Sequence, residues 1–191
     1  MVMMDLLSII SSDLKISLAV AHLDHNTRGE DSRNDASFVA DQAARRGLPV
    51  FSETVDVPAL ARSTKRGLEE AGREARYLFF RRAAAHFHAS RVALAHTADD
   101  QVETFVMRMG RGAGLRGLSG IPVQRTLGGD GPAVSVIRPL LSLTRTDILD
   151  YCRDHEITFA VDETNTDPAF LRNRIRHHVL PSLKEIFPQF V

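Results

Sequence analysis

Residues 91–120 read RVALAHTADDQVETFVMRMGRGAGLRGLSG. Arg91–Ala95 is a short apolar run of strand length. His96 follows it directly. Ala98–Met109 then carries apolar residues at helical spacing. A glycine-studded loop, Gly110–Gly120, ends the stretch. A buried strand with a polar mouth and an amphipathic helix behind it is the repeating piece of a parallel α/β sheet.

The same alternation extends both ways. Upstream, Met1–Ser11 reads as a helix, and Ile16–Leu23 (ISLAVAHL) is the continuous apolar run of a buried parallel strand. Asp24–Asn34 is polar and turn-rich. Asp35–Arg46 has helical spacing, with Gly47 placed as its C-cap. Pro49–Val55 is a second strand, Val57–Ser63 a short helix, and Gly67–His88 a long helix with Leu68, Ala71, Ala75, Leu78, Phe79 and Ala83 on its apolar side. Downstream, Gln124–Pro132 reads as an exposed excursion and Ala133–Ile137 as a fourth strand. Thr144–His155 is a helix, Thr158–Val161 a short strand, and two helices close the chain. The fold class expected is α/β, a parallel sheet with right-handed crossovers and ligands at the carboxyl ends of its strands.

Composition narrows the class further. The 191 residues suit one domain, or one domain plus a short appendage. Twenty-four basic and 24 acidic side chains cancel, and 43% apolar content argues against intrinsic disorder. No window approaches 18 consecutive apolar residues, so no membrane span is expected. Cys152 is the only cysteine, which excludes a disulfide scaffold, a thiolate-rich zinc site and an iron–sulfur cluster. Met1–Leu7 resembles neither a signal nor a transit peptide, and a cytoplasmic location is expected. Of the basic residues all but Lys15, Lys65 and Lys184 are Arg. Coding bias accounts for that, but planar guanidinium forks also suit phosphate. The segment FLRNRIRHH, Phe170–His178, is a local basic patch.

Four constellations carry polar chemistry. His22-Leu23-Asp24-His25 ends the first strand, where contact to a nucleotide is a better reading than metal ligation; no metal ligand is assigned. His96-Thr97-Ala98-Asp99-Asp100-Gln101-Val102-Glu103 opens a helix. Thr97 as N-cap with Asp100 at N3 explains one or two acids by capping alone. Binding an ammonium group or Mg²⁺, or handling a proton, is the balanced alternative. In RMGRGAGLRGLSG, Arg108–Gly120, close backbone approach and interleaved arginines could cradle a phosphate, although no Walker A pattern is present. Glu69–Tyr77 is a charged helix run of the solvated kind, except that Arg76 borders the apolar stripe.

In this order the stretches AHLDHNTRGEDSRNDASFV, GLEEAGREARYLFF, LAHTADDQVETFVMRMGRGAGLRGLSGIP, IRPLL and VDETNTDPAFLRNRIRHHVLPSL resemble the tRNA(Ile)-lysidine synthetase family, within the PP-loop ATP pyrophosphatase superfamily. The resemblance runs from about Leu6 to Pro188. It implies a Rossmann-like PP-loop fold of the adenine nucleotide alpha hydrolase type. It also implies ligation of free L-lysine to C2 of the wobble cytidine of an isoleucine tRNA with a CAU anticodon. ATP, with Mg²⁺, first adenylates the base and releases pyrophosphate; lysine then displaces AMP. By resemblance, Asp100, Glu103, Arg76 and His96 are catalytic, and Asp100, Glu103 and Arg76 bind lysine. His22, Asp24, Arg111, Gly112 and Gly114 bind ATP, and Arg172, Asn173 and Arg176 contact tRNA. A catalytic domain over 1–165, a basic helical tail over 166–191 and a homodimer are expected.

One departure stands out. The family's S-G-G-x-D-S phosphate loop, which joins a first strand to a first helix, has no counterpart, and Met1 aligns just after it. The expectation is a chain that lacks its first strand and phosphate loop, leads toward absent C-terminal tRNA-binding domains, binds ATP poorly and is inactive alone. The alternatives are a cytidine thiolase of the same superfamily, which the single cysteine disfavours, and a non-catalytic tRNA-binding remnant.

Overall fold

The structure is a computed structural model describing residues 1–26, 30–128, 132–160, 167 and 170–187. It divides into two compact units, one of Met1, Met3–Val92 and Thr126–Val136, the other of Val2, Ala93–Arg125 and Ile137–Val191. The described residues form a two-stranded sheet of the first and second strands and a three-stranded sheet in the order third, fifth, fourth.

The first unit begins with α1 (Val2–Ile10), β1 (Val20–Asp24), α2 (Glu30–Ala44) and β2 (Val50–Thr54). β1 and β2 pair in parallel, in register from Val20 opposite Val50 to Asp24 opposite Thr54. β1 is shorter than the apolar run Ile16–Leu23, because pairing starts only where Val20 N–H reaches the Pro49 carbonyl at 2.8 Å. α2 starts five residues earlier than its apolar spacing suggests. Glu30 and Asp31 in its first turn favour a helix N-terminus electrostatically and carry no periodic signal.

Two helices follow, α3 (Val57–Thr64) and α4 (Leu68–His86). Asp56 caps α3 by accepting from Ala59 N–H at 2.8 Å, and Pro58 in the first turn has no N–H to lose. Val57 and Ala61 of α3 pack with Ala71 and Ala75 of α4, backed by Val55 and Leu60. Phe79 of α4 is fully buried and stacks on Phe51 of β2 with ring centroids 5.8 Å apart. Small residues on α4 bring the helices close, and the aromatic pair fills the remaining volume.

The second sheet takes β3 (Arg91–Ala93), β4 (Gln124–Leu127) and β5 (Val134–Ile137). Ser135 N–H bonds the Ser90 carbonyl, and Leu94 N–H bonds the Ile137 carbonyl, each at 2.9 Å. The bonds advance in the same direction along both chains, so β3 and β5 are parallel. The expected excursion Gln124–Pro132 is corrected by β4. Gln124, Arg125 and Thr126 are exposed and only Leu127 is buried, as an edge strand allows, so an apolar run was absent. Residues 158–160 are not a strand. Most of the expected boundary Asp162–Pro168 lies outside the described residues, as do Gly129–Gly131 of GGDG.

The second unit holds α5 (Ala98–Gly110), α6 (Leu115–Leu118), α7 (Arg145–Asp154), α8 (Leu171–Arg174), one π-helical turn (Ile175–Val179) and α9 (Leu180–Ile186). The loop Gly110–Gly120 therefore contains a single helical turn. Val106 of α5 is buried against Ile175 and Leu180, with Val102, Phe105, Met107 and Leu183 around them. By compactness the closing helices belong with α5.

Candidate functional site

In the first unit, the polar end of β1 meets α4. Arg76 Nη2 lies 3.3 Å from His25 Nε2. Asn26 N–H donates to Asp24 Oδ1 at 2.7 Å, so Asp24 turns the chain out of the strand. Among the described residues His22 Nε2 and His25 Nδ1 are buried without a hydrogen-bond partner. Buried polar atoms are paired as a rule, so each such exception calls for an explanation. His25 is pushed below its ordinary pKa of 6.5, first by burial and then by the Arg76 charge; Asp24 pulls the other way and His22 adds to the lowering. The Arg76 pKa is held below the ordinary arginine value chiefly by burial, with Tyr77 opposing and Arg73 adding. As a whole residue Arg76 is exposed. The sequence reading singled out His22, Asp24 and Arg76 but gave His25 no role; its signal was adjacency to Asp24 at the strand end.

In the second unit, α5 opens with a capping box. Asp100 Oδ2 accepts from Thr97 N–H at 2.7 Å. Asp99 Oδ2 accepts from Arg145 N–H at 2.6 Å. Capping therefore accounts for one Asp100 oxygen. The other, Oδ1, takes Arg172 Nη2 at 2.8 Å. Glu103, one turn on, has no exposed surface. Its Oε2 is bound by Arg172 Nε and its Oε1 by Arg176 Nε at 2.6 Å. Both carboxylates thus face the closing helices, and Arg172 spans the pair. Asn173, also buried, donates from Nδ2 to the Asp167 carbonyl at 2.8 Å. Arg172, Asn173 and Arg176, read from sequence as tRNA contacts, are here engaged inside their own unit.

His96 Nδ1 accepts from Arg138 Nε at 3.3 Å. Arg138 is 5% exposed and also donates to the Pro122 carbonyl at 2.6 Å. Sequence reasoning missed Arg138 as a site residue; its signal was a lone arginine directly after the apolar strand β5. In the glycine loop, Arg111, Gly112 and Gly114 are exposed. Gly112 adopts φ +72°, which glycine accepts without strain. Arg108 Nη1 donates to the Gly117 and Gly120 carbonyls at 2.8 and 2.9 Å and so anchors the loop from α5. Gln101 clasps Ile121 by two bonds, donating to its carbonyl at 2.8 Å and accepting its N–H at 2.5 Å. The described residues contain no group of three or more His, Cys, Asp or Glu able to hold a metal ion, and no helix long and apolar enough to cross a membrane.

Parallel strands alternating with helices define an α/β domain. The PP-loop domain family matches residues 1–183, and the chain belongs to that family. Among curated relatives, the tRNA(Ile)-lysidine synthase of Dehalococcoides mccartyi is 45% identical over 183 residues, covering 95% of this chain and 39% of that protein. That of Geobacter sulfurreducens is 46% identical over 178 residues, covering 93% of this chain and 36% of that protein. The bifunctional protein TilS/HprT of Listeria monocytogenes is 41% identical over 174 residues, covering 91% and 26%. The chain thus spans well under half the length of these relatives. Among solved structures, the U34-tRNA thiolase NcsA of Methanococcus maripaludis, with its 4Fe–4S cluster, superposes with a TM-score of 0.69 at 13% identity. The match covers 95% of this chain and 62% of that one. At that identity the likeness supports the fold alone.

Proposed function

We propose that this chain is the ATP-using portion of a tRNA(Ile)-lysidine synthase. The substrates are ATP, free L-lysine and an isoleucine tRNA with a CAU anticodon. The C2 carbonyl oxygen of the wobble cytidine attacks the α-phosphorus of ATP, and pyrophosphate leaves. The lysine ε-amine, having lost its proton, attacks C2; the C2–O bond breaks and AMP leaves. Mg²⁺ is expected to accompany the ATP phosphates.

The observation that carries the lysine assignment is the carboxylate pair of Asp100 and Glu103 at the start of α5. It already takes N–H donors from a cation, Arg172, across both carboxylates. A substrate ammonium is a donor of the same kind. Glu103 is closed in by two arginines, so Asp100 is the carboxylate that a lysine reaches, with Arg172 sharing or yielding Oδ1. Arg76 supplies positive charge for phosphate, and His96, held by Arg138, stands at the end of β3. His22, Asp24 and the Arg111–Gly114 loop are assigned to the nucleotide.

Calorimetric titration of the 191-residue protein with L-lysine, alone and with ATP, tests this. Binding should be lost in Asp100→Asn and be stronger for lysine than for norleucine, which lacks the ε-ammonium. Incorporation of labelled lysine into CAU-anticodon tRNA measures the whole reaction. A non-catalytic RNA-binding domain would bind tRNA equally well with Asn at position 100 and ignore lysine, and that result would overturn the proposal. Light scattering tests the homodimer.

A further inference from the structure

His25, directly after β1, and Arg76 of α4 form a contact whose chemistry permits only one protonation state. A guanidinium can only donate. The atom facing it at 3.3 Å, His25 Nε2, must therefore be an unprotonated acceptor. The ring is then neutral and carries its proton on Nδ1. That nitrogen is buried and has no partner among the described residues, so a donor N–H faces a place where an acceptor is wanted. Arg76 has no carboxylate partner among the described residues either, so its only bonded neighbour there is the imidazole. A guanidinium without a carboxylate partner among the described residues suits an anionic oxygen, as on a phosphate.

We infer that His25 is a positioning residue, a neutral Nδ1–H imidazole that fixes the Arg76 guanidinium at the end of β1, where Arg76 meets a phosphate of the bound nucleotide. The role rests on the nucleotide reading above and adds a residue to it. Protonation of Nε2 would set two donors and two positive charges face to face and would break the contact. The charged groups that bear on the ring are Arg76 from α4, and Asp24 and His22 from β1 itself. Arg76 and His22 resist a second positive charge and Asp24 favours it.

The tautomer is measurable without any activity. Long-range ¹H–¹⁵N correlation spectra of the wild-type 191-residue protein, with the His25 signals assigned by their loss in His25→Gln, should show Nδ1 protonated and Nε2 bare. Arg76→Ala should return the ring toward the Nε2–H form that free imidazole side chains favour, and should raise its midpoint. His25→Leu should weaken binding of ATP and of inorganic pyrophosphate about tenfold, the worth of one hydrogen bond to a charged group. His25→Gln, whose amide oxygen can still accept from Arg76, should recover much of that loss and remove the decline of binding at acid pH. An Nε2-protonated His25 in the wild type, or equal binding by the Leu and Gln variants, overturns the inference. If wild type binds neither nucleotide nor pyrophosphate, the nucleotide reading of this strand end fails, while the tautomer result still decides whether His25 holds Arg76.

Discussion

Removing both Arg172 and Arg176 should cost the second unit about 3–5 kcal/mol, the usual penalty for stranding a buried charge. The magnitude follows from geometry. Glu103 has no exposed surface, while the side chains of Arg172 and Arg176 are 40% and 22% exposed. Without the arginines, the carboxylate loses both of its charged partners while it remains in the interior. Without Glu103, the arginines still reach solvent. The effect must therefore be asymmetric. Arg172→Ala/Arg176→Ala should be far worse than Glu103→Gln. Arg176→Ala alone leaves Arg172 on Oε2 and should cost about 1–3 kcal/mol, one unsatisfied acceptor. Urea unfolding followed by circular dichroism measures these differences. For a chain of this size each kcal/mol shifts the thermal midpoint by about 2–4 °C. A triple variant, Glu103→Leu with Arg172→Met and Arg176→Met, should recover most of the loss, because apolar side chains of similar volume carry no desolvation penalty. The reasoning is refuted if the double alanine variant loses less than about 1 kcal/mol, the range of exposed ion pairs, or if the triple variant is no better than the double.

Gly120 has φ +73°, and a Cβ there would lie 2.4 Å from Gln101 Oε1. Gly120→Ala should then cost about 1–2 kcal/mol of backbone strain alone, more if the Gln101–Ile121 clasp opens, read as a drop in urea midpoint. Asp56→Ala removes the α3 cap and should cost about 1 kcal/mol, within the range of 0.5–2 for such caps, by the same assay. The lowered His25 pKa makes stability fall on the acid side. Above its ordinary value of 6.5 the ring is neutral in both states. As pH drops below that, the unfolded chain takes up the proton first, so stability declines until the native ring also titrates and is level below. Denaturation of wild type and His25→Gln at pH 7.5 and pH 5 should show a smaller acid loss in the variant; equal losses would contradict the assignment.

Local order was legible in the chain because it depends on residues close in sequence. The alternation of apolar runs with helical spacing placed β1, β2, β3 and β5 and the principal helices, and the Thr97–Asp100 capping box was readable from two residues three apart. Polar β4 was not, since an edge strand need not bury a face, and α2 starts on acids that carry no periodic signal. The ordered motifs named the chemistry and its residues. What they could not say is what each side chain touches. Glu103 meets Arg172 and Arg176 across 69 and 73 positions, and His25 meets Arg76 across 51. No local rule couples residues so far apart; only chain closure around the two cores does. That closure gave Arg172 and Arg176, read as RNA contacts, a buried carboxylate to pair with, and left at the end of β1 a histidine with one nitrogen committed and one unfilled among the described residues.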